Sequence, residues 1–415
     1  MKKIISHIQR PRVALLIESS RAYGRATLSG IGKYLRAHSP WSISIQEQSL
    51  NDDLPDWFKN WKGDGIITRI ETPALAGVLE RLDVPVVFLR NVAPGTRAPS
   101  VLTDNPATSR KAFEHLRERG FRHFAFCGFN GADYSDERRD SFIQFVTEVG
   151  LHCHVFGAKS PVSALSNTTA YEEVGLKDGE QVAAWLKTLP KPIGLMACND
   201  MRGQQVLDAS RECEIAVPDD IAVVGVDNEE VLCELSNPSL SSVVPNAERV
   251  GYEAAALLAQ MMAGKKIPAR PQLIEPSGVI TRGSTEVLAI EDRKIAVAAR
   301  FIREHACEGI DVSDVLRVVS MSRSALDRHF SKIMGHSPKD EILRVRLNRA
   351  KQLLAETDFS QAVIAEKICF EHVEYLSRIF KKRIGITPSE FRARSRVQDQ
   401  ADALPGKSKL TKQGF

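Results

Sequence analysis

Arg328-His329-Phe330-Ser331-Lys332, followed by Gly335 and Ser337-Pro338, returns 50 residues later as Arg378-Ile379-Phe380-Lys381-Lys382, followed by Gly385 and Thr387-Pro388. Each copy is typical of the end of an amphipathic helix, a glycine that stops it, and a new helix that begins with an N-cap residue and a proline. Glu390, three residues after Thr387, completes a capping box in the second copy. Two helix–turn–helix units at a fixed spacing can contact two successive turns of a DNA major groove. The repeat therefore predicts double-stranded DNA as a partner.

The net charge of +4 is unevenly distributed along the chain. Residues 291–415 hold 24 Lys and Arg against 17 Asp and Glu, whereas residues 1–290 hold 32 against 35. A basic C-terminal third joined to a slightly acidic body is typical of a polyanion-binding module attached to a neutral sensor. A solvated helical surface could carry the same charge, so the prediction rests on the charge and the repeat together.

Composition restricts the class of protein. With 415 residues, 43% of them apolar, the chain can form two or three domains. It has no apolar run long enough to span a bilayer, and its N-terminus lacks the apolar stretch of a signal peptide. Its seven cysteines are dispersed, which favours reduced thiols over a disulfide framework or a metal site. We expect a cytoplasmic protein without membrane contact, metal or cofactor.

Residues 12–283 alternate short β-branched runs with longer segments of helical periodicity. The candidate strands are Val13–Ile17, Ser42–Gln46, Gly65–Thr68, Val86–Leu89, His123–Cys127, Gly194–Cys198 and Ile221–Val226. Such alternation predicts parallel, doubly wound α/β sheets. Because about 270 residues exceed one ordinary sheet domain, we expect two lobes.

Polar residues follow several of these strands, at the sheet edge where open α/β sheets bind ligands. The polar segments are Glu18-Ser19-Ser20-Arg21-Ala22-Tyr23-Gly24-Arg25, Asn199-Asp200 and Asp227-Asn228-Glu229-Glu230. Any one of these residues could be a loop residue or a helix cap, as Asp200 could. Several at corresponding strand ends favour a pocket for a polyhydroxylated ligand, whose hydroxyls both donate and accept hydrogen bonds.

The same part of the chain resembles the LacI/GalR family of sugar-binding regulators. The resemblance lies in Asn199-Asp200, in Val217-Pro218-Asp219-Asp220-Ile221-Ala222-Val223-Val224-Gly225-Val226-Asp227-Asn228, and in Val101-Leu102-Thr103-Asp104-Asn105. It extends from about residue 12 to residue 283. It implies a two-lobed periplasmic-binding-protein fold with three crossovers and a sugar in the cleft. Members of that family begin with a helix–turn–helix, for which the first strand near Val13 leaves no room, so we expect the DNA-binding segment elsewhere.

The resemblance also implies particular ligand contacts. The family's contact positions correspond to Arg138, Asn199 and Asp227, and Arg139 stays open as an alternative to Arg138. With the strand-end residues added, the expected ligand-binding set is Ser19, Tyr23, Arg25, Arg138, Asn199 and Asp227.

Residues 291–396 have the periodicity of an all-helical domain and resemble the AraC-type DNA-binding domain. The resemblance lies in Ala365, Phe370, Tyr375, Phe380-Lys381-Lys382, Gly385, Thr387-Pro388 and Glu390-Phe391-Arg392. Cys369 replaces the glycine that normally precedes the aromatic residue at the turn. If that position needs a positive φ, the cysteine costs about 1 kcal/mol of strain. Leu316 replaces an alanine that is usual at the packing position of the first unit.

The outward faces of the two predicted recognition helices supply candidate DNA contacts. Arginine can bind guanine through two hydrogen bonds, and a carboxylate favours the amino group of cytosine. Lysines near the helix ends suit phosphates, although simple solvation explains them equally well. The candidates for base contact are Arg323, Ser324, Asp327 and Arg328 in the first helix and His372, Glu374, Tyr375 and Arg378 in the second, and those for phosphate contact are Lys332, Lys381 and Lys382.

A LacI-like domain followed by an AraC-type domain resembles the XylR-like regulators of xylose operons. That resemblance implies a homodimeric transcriptional activator that responds to a sugar, xylose or another pentose, with RNA polymerase as a candidate partner. We place the sensing domain at 1–285, the DNA-binding domain at 286–396 and a disordered tail at 397–415. Within the sensing domain, the first lobe takes in about 11–105 and 244–265, and the second takes in about 106–243 and 268–285.

Other classes of protein fit less well. An enzyme would need a nucleophile and base set or a glycine-rich phosphate loop, and the sequence has neither. An architectural DNA-binding protein would not need the polar residues at the strand ends. A repressor that senses a different sugar or a sugar phosphate stays open, since the sequence cannot place the operator relative to the promoter.

Overall fold

The computed structural model describes residues 10–49, 54–69, 79, 82–90, 99–157, 168–286 and 292–393. The chain divides into two compact units, residues 1–289 and residues 290–415. The tail predicted at 397–415 lies outside the described residues. Among the helices that the structure describes, none has both the length and the apolar character needed to cross a bilayer.

Strands and helices alternate through the first unit. Its strands are β1 (Arg12–Leu16), β2 (Ser42–Ser44), β3 (Gly65–Thr68), β4 (Val86–Phe88), β5 (Ser100–Thr103), β6 (His123–Cys127), β7 (Cys153–Val155), β8 (Ile193–Ala197), β9 (Ile221–Val226), β10 (Ser241–Val244), β11 (Pro271–Ile274) and β12 (Gly278–Ile280). Its helices are α1 (Ala22–Ala37), α2 (Asn105–Glu118), α3 (Asp133–Glu148), α4 (Thr168–Gly175), α5 (Gly179–Leu186), α6 (Asp200–Glu212), α7 (Glu230–Leu235) and α8 (Ala247–Met262).

In the described part of the chain, the strands form two six-stranded sheets, one in each lobe. The first has the order β11-β5-β4-β3-β1-β2, and the second has the order β12-β10-β9-β8-β6-β7. All pairs are parallel except β10 with β12. Central strands such as β9 are buried along their whole length because helices cover both faces. The predicted two-lobed, doubly wound α/β fold is confirmed.

The chain passes between the lobes three times, after β5, after β10 and between β11 and β12. Between the second and third passages, α8 packs into the core of the first lobe. One predicted lobe boundary is wrong. We assigned 268–285 to the second lobe, but β11 pairs in parallel with β5 in the first sheet. The two adjacent strands β11 and β12 are short and lie in different sheets, a division that their local pattern does not show.

Helices α1 and α8 contact each other backbone to backbone in the first lobe. A Cβ atom on Gly30 would lie 1.9 Å from the carbonyl oxygen of Glu248, and one on Gly251 would lie 1.9 Å from that of Thr27. Only glycine permits this approach, because a side chain at either position would require the helices to separate. The crossing fixes α1 firmly to the lobe, and therefore fixes the position of its N-terminal end.

The second unit is helical. Its helices are α9 (Arg293–His305), α10 (Val312–Val319), α11 (Arg323–Met334), α12 (Pro338–Glu356), α13 (Gln361–Lys367) and α14 (Val373–Ile384), and residues 388–393 are also helical. The pairs α10–α11 and α13–α14 form the two predicted helix–turn–helix units, each with its own apolar core. Ser322 caps α11 by accepting a hydrogen bond from the Ala325 amide. The Thr387–Glu390 capping box is formed as well.

Cys369 has the left-handed conformation that a glycine would adopt more easily, with φ at 54°. Its thiol contacts the carbonyl oxygen of Cys307 at 2.9 Å, a contact that glycine could not make. The turn therefore has the positive φ that the sequence left open as one possibility, and the cysteine adds a contact there. Leu316 is half-buried and packs against the core of the first helix–turn–helix unit.

We predict that Cys369→Gly unfolds at higher denaturant concentration than Cys369→Ala. Both variants lose the contact with Cys307, but only glycine removes the left-handed strain, so the difference isolates that strain at about 1 kcal/mol. Urea unfolding followed by helical circular dichroism measures the difference. Equal midpoints for the two variants would contradict a strained turn.

Candidate functional site

A cavity of about 540 Å³ lies in the first unit, at the edge where the carboxyl ends of the parallel strands meet. This volume is typical of pockets that bind small molecules. Both lobes contribute to its walls, and charged side chains of both signs predominate among the polar groups. The polar residues that line it are Arg21, Tyr23, Arg69, Arg90, Thr103, Asn105, Asp133, Tyr134, Glu137, Arg138, Asp140, Ser141, Glu172, Asn199 and Asp227.

Tyr23 and Arg69 form the polar wall on the first lobe. The Tyr23 hydroxyl is 2.8 Å from Thr103 Oγ1, and the Arg69 guanidinium lies over the Tyr23 ring at 4.4 Å. Arg69 also forms an ion pair with Glu18, whose side chain is fully buried behind the cavity. Burial raises the pKa of the Tyr23 hydroxyl, so this group stays a neutral donor and acceptor.

Arg138 is held rigidly on the second lobe. Its Nε donates to Asn105 Oδ1 at 2.9 Å, and its Nη1 donates to the carbonyl oxygen of Cys198 at 2.5 Å. Its Nη2 lies 3.9 Å from Asp227 Oδ1. Arg139 instead pairs with carboxylates of its own helix, Asp136 and Asp140. Of the two arginines that the sequence left open, Arg138 lines the cavity.

Asn199 and Asp227 follow β8 and β9, where the sequence placed them. Asn199 caps α6 through its Oδ1, which accepts from the Arg202 amide, while its Nδ2 donates to the Tyr134 hydroxyl at 2.9 Å. Asp227 has a left-handed backbone, with φ at 106°, in the loop after β9. Burial raises the pKa of Asp227, although Arg138 acts to lower it.

Asp200 anchors the loop that carries Asp227. Its carboxylate accepts from Ser242 Oγ at 2.6 Å and from the Glu229 amide at 2.8 Å. Burial, and then the neighbouring Asp227 carboxylate, raises the pKa of Asp200 to about 8. Asp200 therefore orients the loop from behind the cavity rather than from its lining.

Two predicted ligand residues are corrected by the structure, because Ser19 and Arg25 do not line the cavity. Ser19 Oγ accepts from the Gln48 amide, and Arg25 contacts backbone carbonyls and Glu229. For Arg25 the reason is helical geometry. With about 100° per residue, Arg25 lies roughly 200° around α1 from Tyr23, which faces the cavity.

Most of the polar residues that line the cavity were not ligand candidates from the sequence, among them Arg21, Arg69, Tyr134 and Glu172. Arg69 directly follows β3, so the strand-end rule would have found it, and Arg21 lies in a polar segment already noted. Tyr134 lies one helical turn before Arg138 on α3, so the spacing from Arg138 would have found it. Glu172 lies on α4, and no sequence signal connects it to the cleft. The two residues meet there through a hydrogen bond of 2.7 Å from the Tyr134 hydroxyl to Glu172 Oε1.

The second unit presents the predicted DNA-contact residues on its recognition helices α11 and α14. Leu326 and Phe330 of α11 and Leu376 and Phe380 of α14 are buried. The exposed candidates are Arg323, Ser324, Arg328, Lys332, His372, Glu374, Tyr375, Arg378, Lys381 and Lys382, and Asp327 is half-buried.

A groove of about 1210 Å³ separates the two helix–turn–helix units, and residues of both recognition helices line it. Arg323 lines it from α11, and His372, Glu374, Tyr375 and Arg378 line it from α14 and its cap. The Arg378 guanidinium lies 5.3 Å from the centre of the Tyr375 ring, a distance typical of a cation–π contact. Helix α14 therefore presents its N-terminal half to the groove, and α11 contributes its first residue, Arg323.

Arg346 of α12 connects the two helix–turn–helix units. Its guanidinium donates to the carbonyl oxygens of Ala306 at 2.6 Å, Ile310 at 3.0 Å and Cys369 at 3.4 Å. Ala306 and Ile310 precede α10 in the first unit, whereas Cys369 lies in the turn of the second. One half-buried side chain therefore helps to fix the spacing between the two recognition helices.

Three family models match successive parts of the chain. The XylR N-terminal domain matches residues 12–97, a periplasmic binding protein-like domain matches residues 113–285, and a helix-turn-helix domain matches residues 315–394. Together they cover most of both sheets and of both helix–turn–helix units.

Whole-length relatives share this order of domains. The xylose operon regulatory protein of Escherichia coli (strain K12) is 33% identical over 394 residues, which cover 92% of this chain and 97% of that protein. The xylose operon regulatory protein of Haemophilus influenzae is 32% identical over 389 residues, with 92% and 98% covered. The solved structure of the xylose-binding transcription activator xylR is 32% identical, with a TM-score of 0.75, and the match covers 93% of this chain and 98% of that one.

Proposed function

This chain belongs to the family of xylose operon regulatory proteins, which are DNA-binding transcription regulators, and we propose that it activates pentose-utilisation genes when an uncharged pentose occupies its cleft. D-Xylose is the first candidate, because the relatives bear its name. The proposed contacts come from Tyr23, Arg69, Arg138, Asn199 and Asp227.

The pairing of charges in the cavity is the observation that favours an uncharged ligand. Arg69 pairs with Glu18, Arg138 lies 3.9 Å from Asp227, and Arg21 pairs with Glu172 at 2.6 Å. A phosphate or sugar acid would need positive charge that is not already balanced by a carboxylate. Hydroxyl groups need both donors and acceptors, which such ion pairs supply together. The cavity therefore favours a free sugar over a sugar phosphate.

DNA recognition is the second part of the proposal. Arg323 and Arg378 lie toward the N-terminal halves of α11 and α14, where side chains of a recognition helix reach base edges. Lys381 and Lys382 lie in the last turn of α14, where a phosphate contact would add affinity without sequence preference. Because both helices line one groove and Arg346 fixes their spacing, the two helix–turn–helix units would bind two successive major-groove segments.

A homodimer is the assembly that we propose for regulation. Closure of a two-lobed cleft changes any surface to which both lobes contribute, so sugar can alter how two subunits pair. In such a dimer, cleft closure would change the distance between the two DNA-binding units, so that they fit two half-sites in the operator. In this scheme RNA polymerase is the partner that an activator at that operator recruits.

We predict that D-xylose or another aldopentose stabilises the full-length protein, by about 2.7 kcal/mol at 100 times its dissociation constant. Asp227→Ala should weaken binding by about 1–3 kcal/mol, because sugar hydroxyls lose an acceptor and Arg138 loses the neighbouring carboxylate. Unfolding with and without the sugar measures the stabilisation, and calorimetric titration measures the loss of affinity. Asp208→Asn, an exposed carboxylate outside the cavity, serves as the matched control. Tighter binding of a pentose 5-phosphate would overturn the uncharged-ligand proposal.

We predict different effects from Arg323→Ala and Lys381→Ala on operator binding. Loss of Arg323 should relax preference at one base position by about 1–3 kcal/mol. Loss of Lys381 should weaken all sequences alike and reduce the salt slope by about 1. Binding to a library of operator variants at several salt concentrations separates the two. Unchanged base preference in Arg323→Ala would count against α11 as a base-reading helix.

We predict that the cognate sugar tightens operator binding and that this effect depends on half-site spacing. Insertion of about half a helical turn between half-sites should abolish the effect, because DNA accepts a shift only in whole turns of about 10.5 base pairs. The measurement is operator affinity with and without sugar at fixed salt. Sugar-independent affinity, or indifference to the insertion, would argue against communication through a dimer.

A further inference from the structure

Helix α1 of the first lobe begins without a cap of its own. Arg21 occupies the N-cap position, and its side chain makes no capping hydrogen bond. The first amides of a helix have no acceptor within the helix, so they need one from elsewhere. The Ala22 amide donates to Glu229 Oε2 at 2.7 Å. Glu229 follows β9 in the second lobe, so the second lobe caps a helix of the first across the cleft.

Glu229 also binds the first lobe through its other oxygen. Arg25 Nη2 donates to Glu229 Oε1 at 3.2 Å. Arg25 is itself held in place, because its Nη1 donates to the carbonyl oxygens of Ser19 and Ser20 at 3.1 and 2.8 Å. Behind Glu229, its own amide donates to buried Asp200. Arg25 and Glu229 are therefore each held in position by contacts within their own lobe.

A second pair of contacts crosses the cleft beside the cavity. Arg21 donates from Nη1 and Nη2 to the two oxygens of Glu172, at 3.1 and 2.6 Å. Glu172 is only 2% exposed, and it also accepts from the Tyr134 hydroxyl. Tyr134 in turn accepts from Asn199, a proposed sugar contact. The Arg21–Glu172 pair therefore belongs to the network that surrounds the ligand.

We propose that Arg21, Arg25, Glu172 and Glu229 form an inter-lobe latch that stabilises the closed cleft and slows release of the sugar. The inference rests on the proposed binding of a sugar in that cleft. Arg25 and Glu229 do not line the cavity, so they act as positioning residues, through closure rather than through contact with the sugar. The Glu229 carboxylate also lies at the positive N-terminal end of α1, where negative charge is favourable.

The latch has a kinetic consequence. The apparent dissociation constant of a ligand rises as the binding-competent fraction of the protein falls. If the Arg25–Glu229 contact is lost, the closed form is less populated, and bound sugar escapes faster. Entry into the open cleft is not slowed, because neither residue lies in the cavity. The signature is therefore a higher dissociation rate at an unchanged or higher association rate.

The test uses the full-length protein and Arg25→Ala, Glu229→Ala and the double variant, with D-xylose and other aldopentoses as probes. Each single variant should raise the dissociation constant about threefold to tenfold, mainly through faster dissociation. The double variant should resemble the worse single variant, because the two residues share one contact. Glu229→Gln keeps an acceptor for Ala22 but loses the charge, so it should fall between wild type and Glu229→Ala.

Lys33 and Glu248 supply the matched control. They form a 2.6 Å ion pair between α1 and α8, so the pair uses the same helix but lies within the first lobe. Lys33→Ala and Glu248→Ala should leave both sugar rate constants unchanged. Thermal unfolding of every variant shows whether it folds. If wild type binds sugar and the latch variants bind it with unchanged rate constants, the latch is wrong.

A readout without sugar separates failure of the latch from failure of the proposed ligand. Hydrogen exchange across residues 19–30 reports the start of α1, whose Ala22 amide is bonded to Glu229. Exchange there should be faster in Glu229→Ala than in wild type or in Glu248→Ala. If no aldopentose binds but this difference is present, the ligand proposal fails, whereas the contact of Glu229 between the lobes is supported. Equal exchange in all three proteins overturns the latch.

Discussion

Parallel pairing of the strands is the constraint on which the sensing unit depends. In each sheet the parallel strands direct their carboxyl ends to the same edge, so residues distant in the chain are brought together there. Tyr23, Arg69, Asn199 and Asp227 all follow such strands, and they line one cavity. The three passages between the lobes then place the two edges face to face. The cavity thus results from topology, and the side chains determine only what it can bind.

Burial gives the polar groups of this cavity their specificity. Arg138 donates to Asn105 and to the carbonyl oxygen of Cys198, and its Nη2 lies 3.9 Å from Asp227, so its guanidinium is fixed before any ligand arrives. Fixed, paired charges suit hydroxyl groups, because a hydroxyl can donate to a carboxylate and accept from an arginine at once. Pairing also offsets much of the cost of burying each charge alone. The same arrangement therefore supports both the stability of the lobe and its preference for an uncharged sugar.

The sequence predicted the elements of this protein better than it predicted their contacts. Periodicity and strand-end polarity located Asn199 and Asp227, because these features are local. The same reasoning placed Arg25 in the ligand site, where the structure has it bridging to Glu229 instead. It could not find Glu172, whose role depends on Arg21, 151 residues away. Long-range pairs of this kind depend on how the lobes meet, which no local pattern records. At Cys369 the missing glycine raised the question of a positive φ but did not answer it, because a reshaped turn was equally compatible with the sequence, and the structure has φ at 54°.

Arginine side chains have opposite roles in the two units: one fixes the spacing of helices, and the other forms a contact that can open. In the helical unit, Arg346 donates to the backbone carbonyls of Ala306, Ile310 and Cys369, which lie outside the α-helices. Breaking those bonds would leave polar groups of the backbone unsatisfied, so the spacing of the recognition helices is held firmly. Across the cleft, Arg25 and Glu229 are partly exposed, and water can replace their contact at little cost. Solvent exposure therefore distinguishes an arginine that holds a fixed spacing from one that permits a hinge to open.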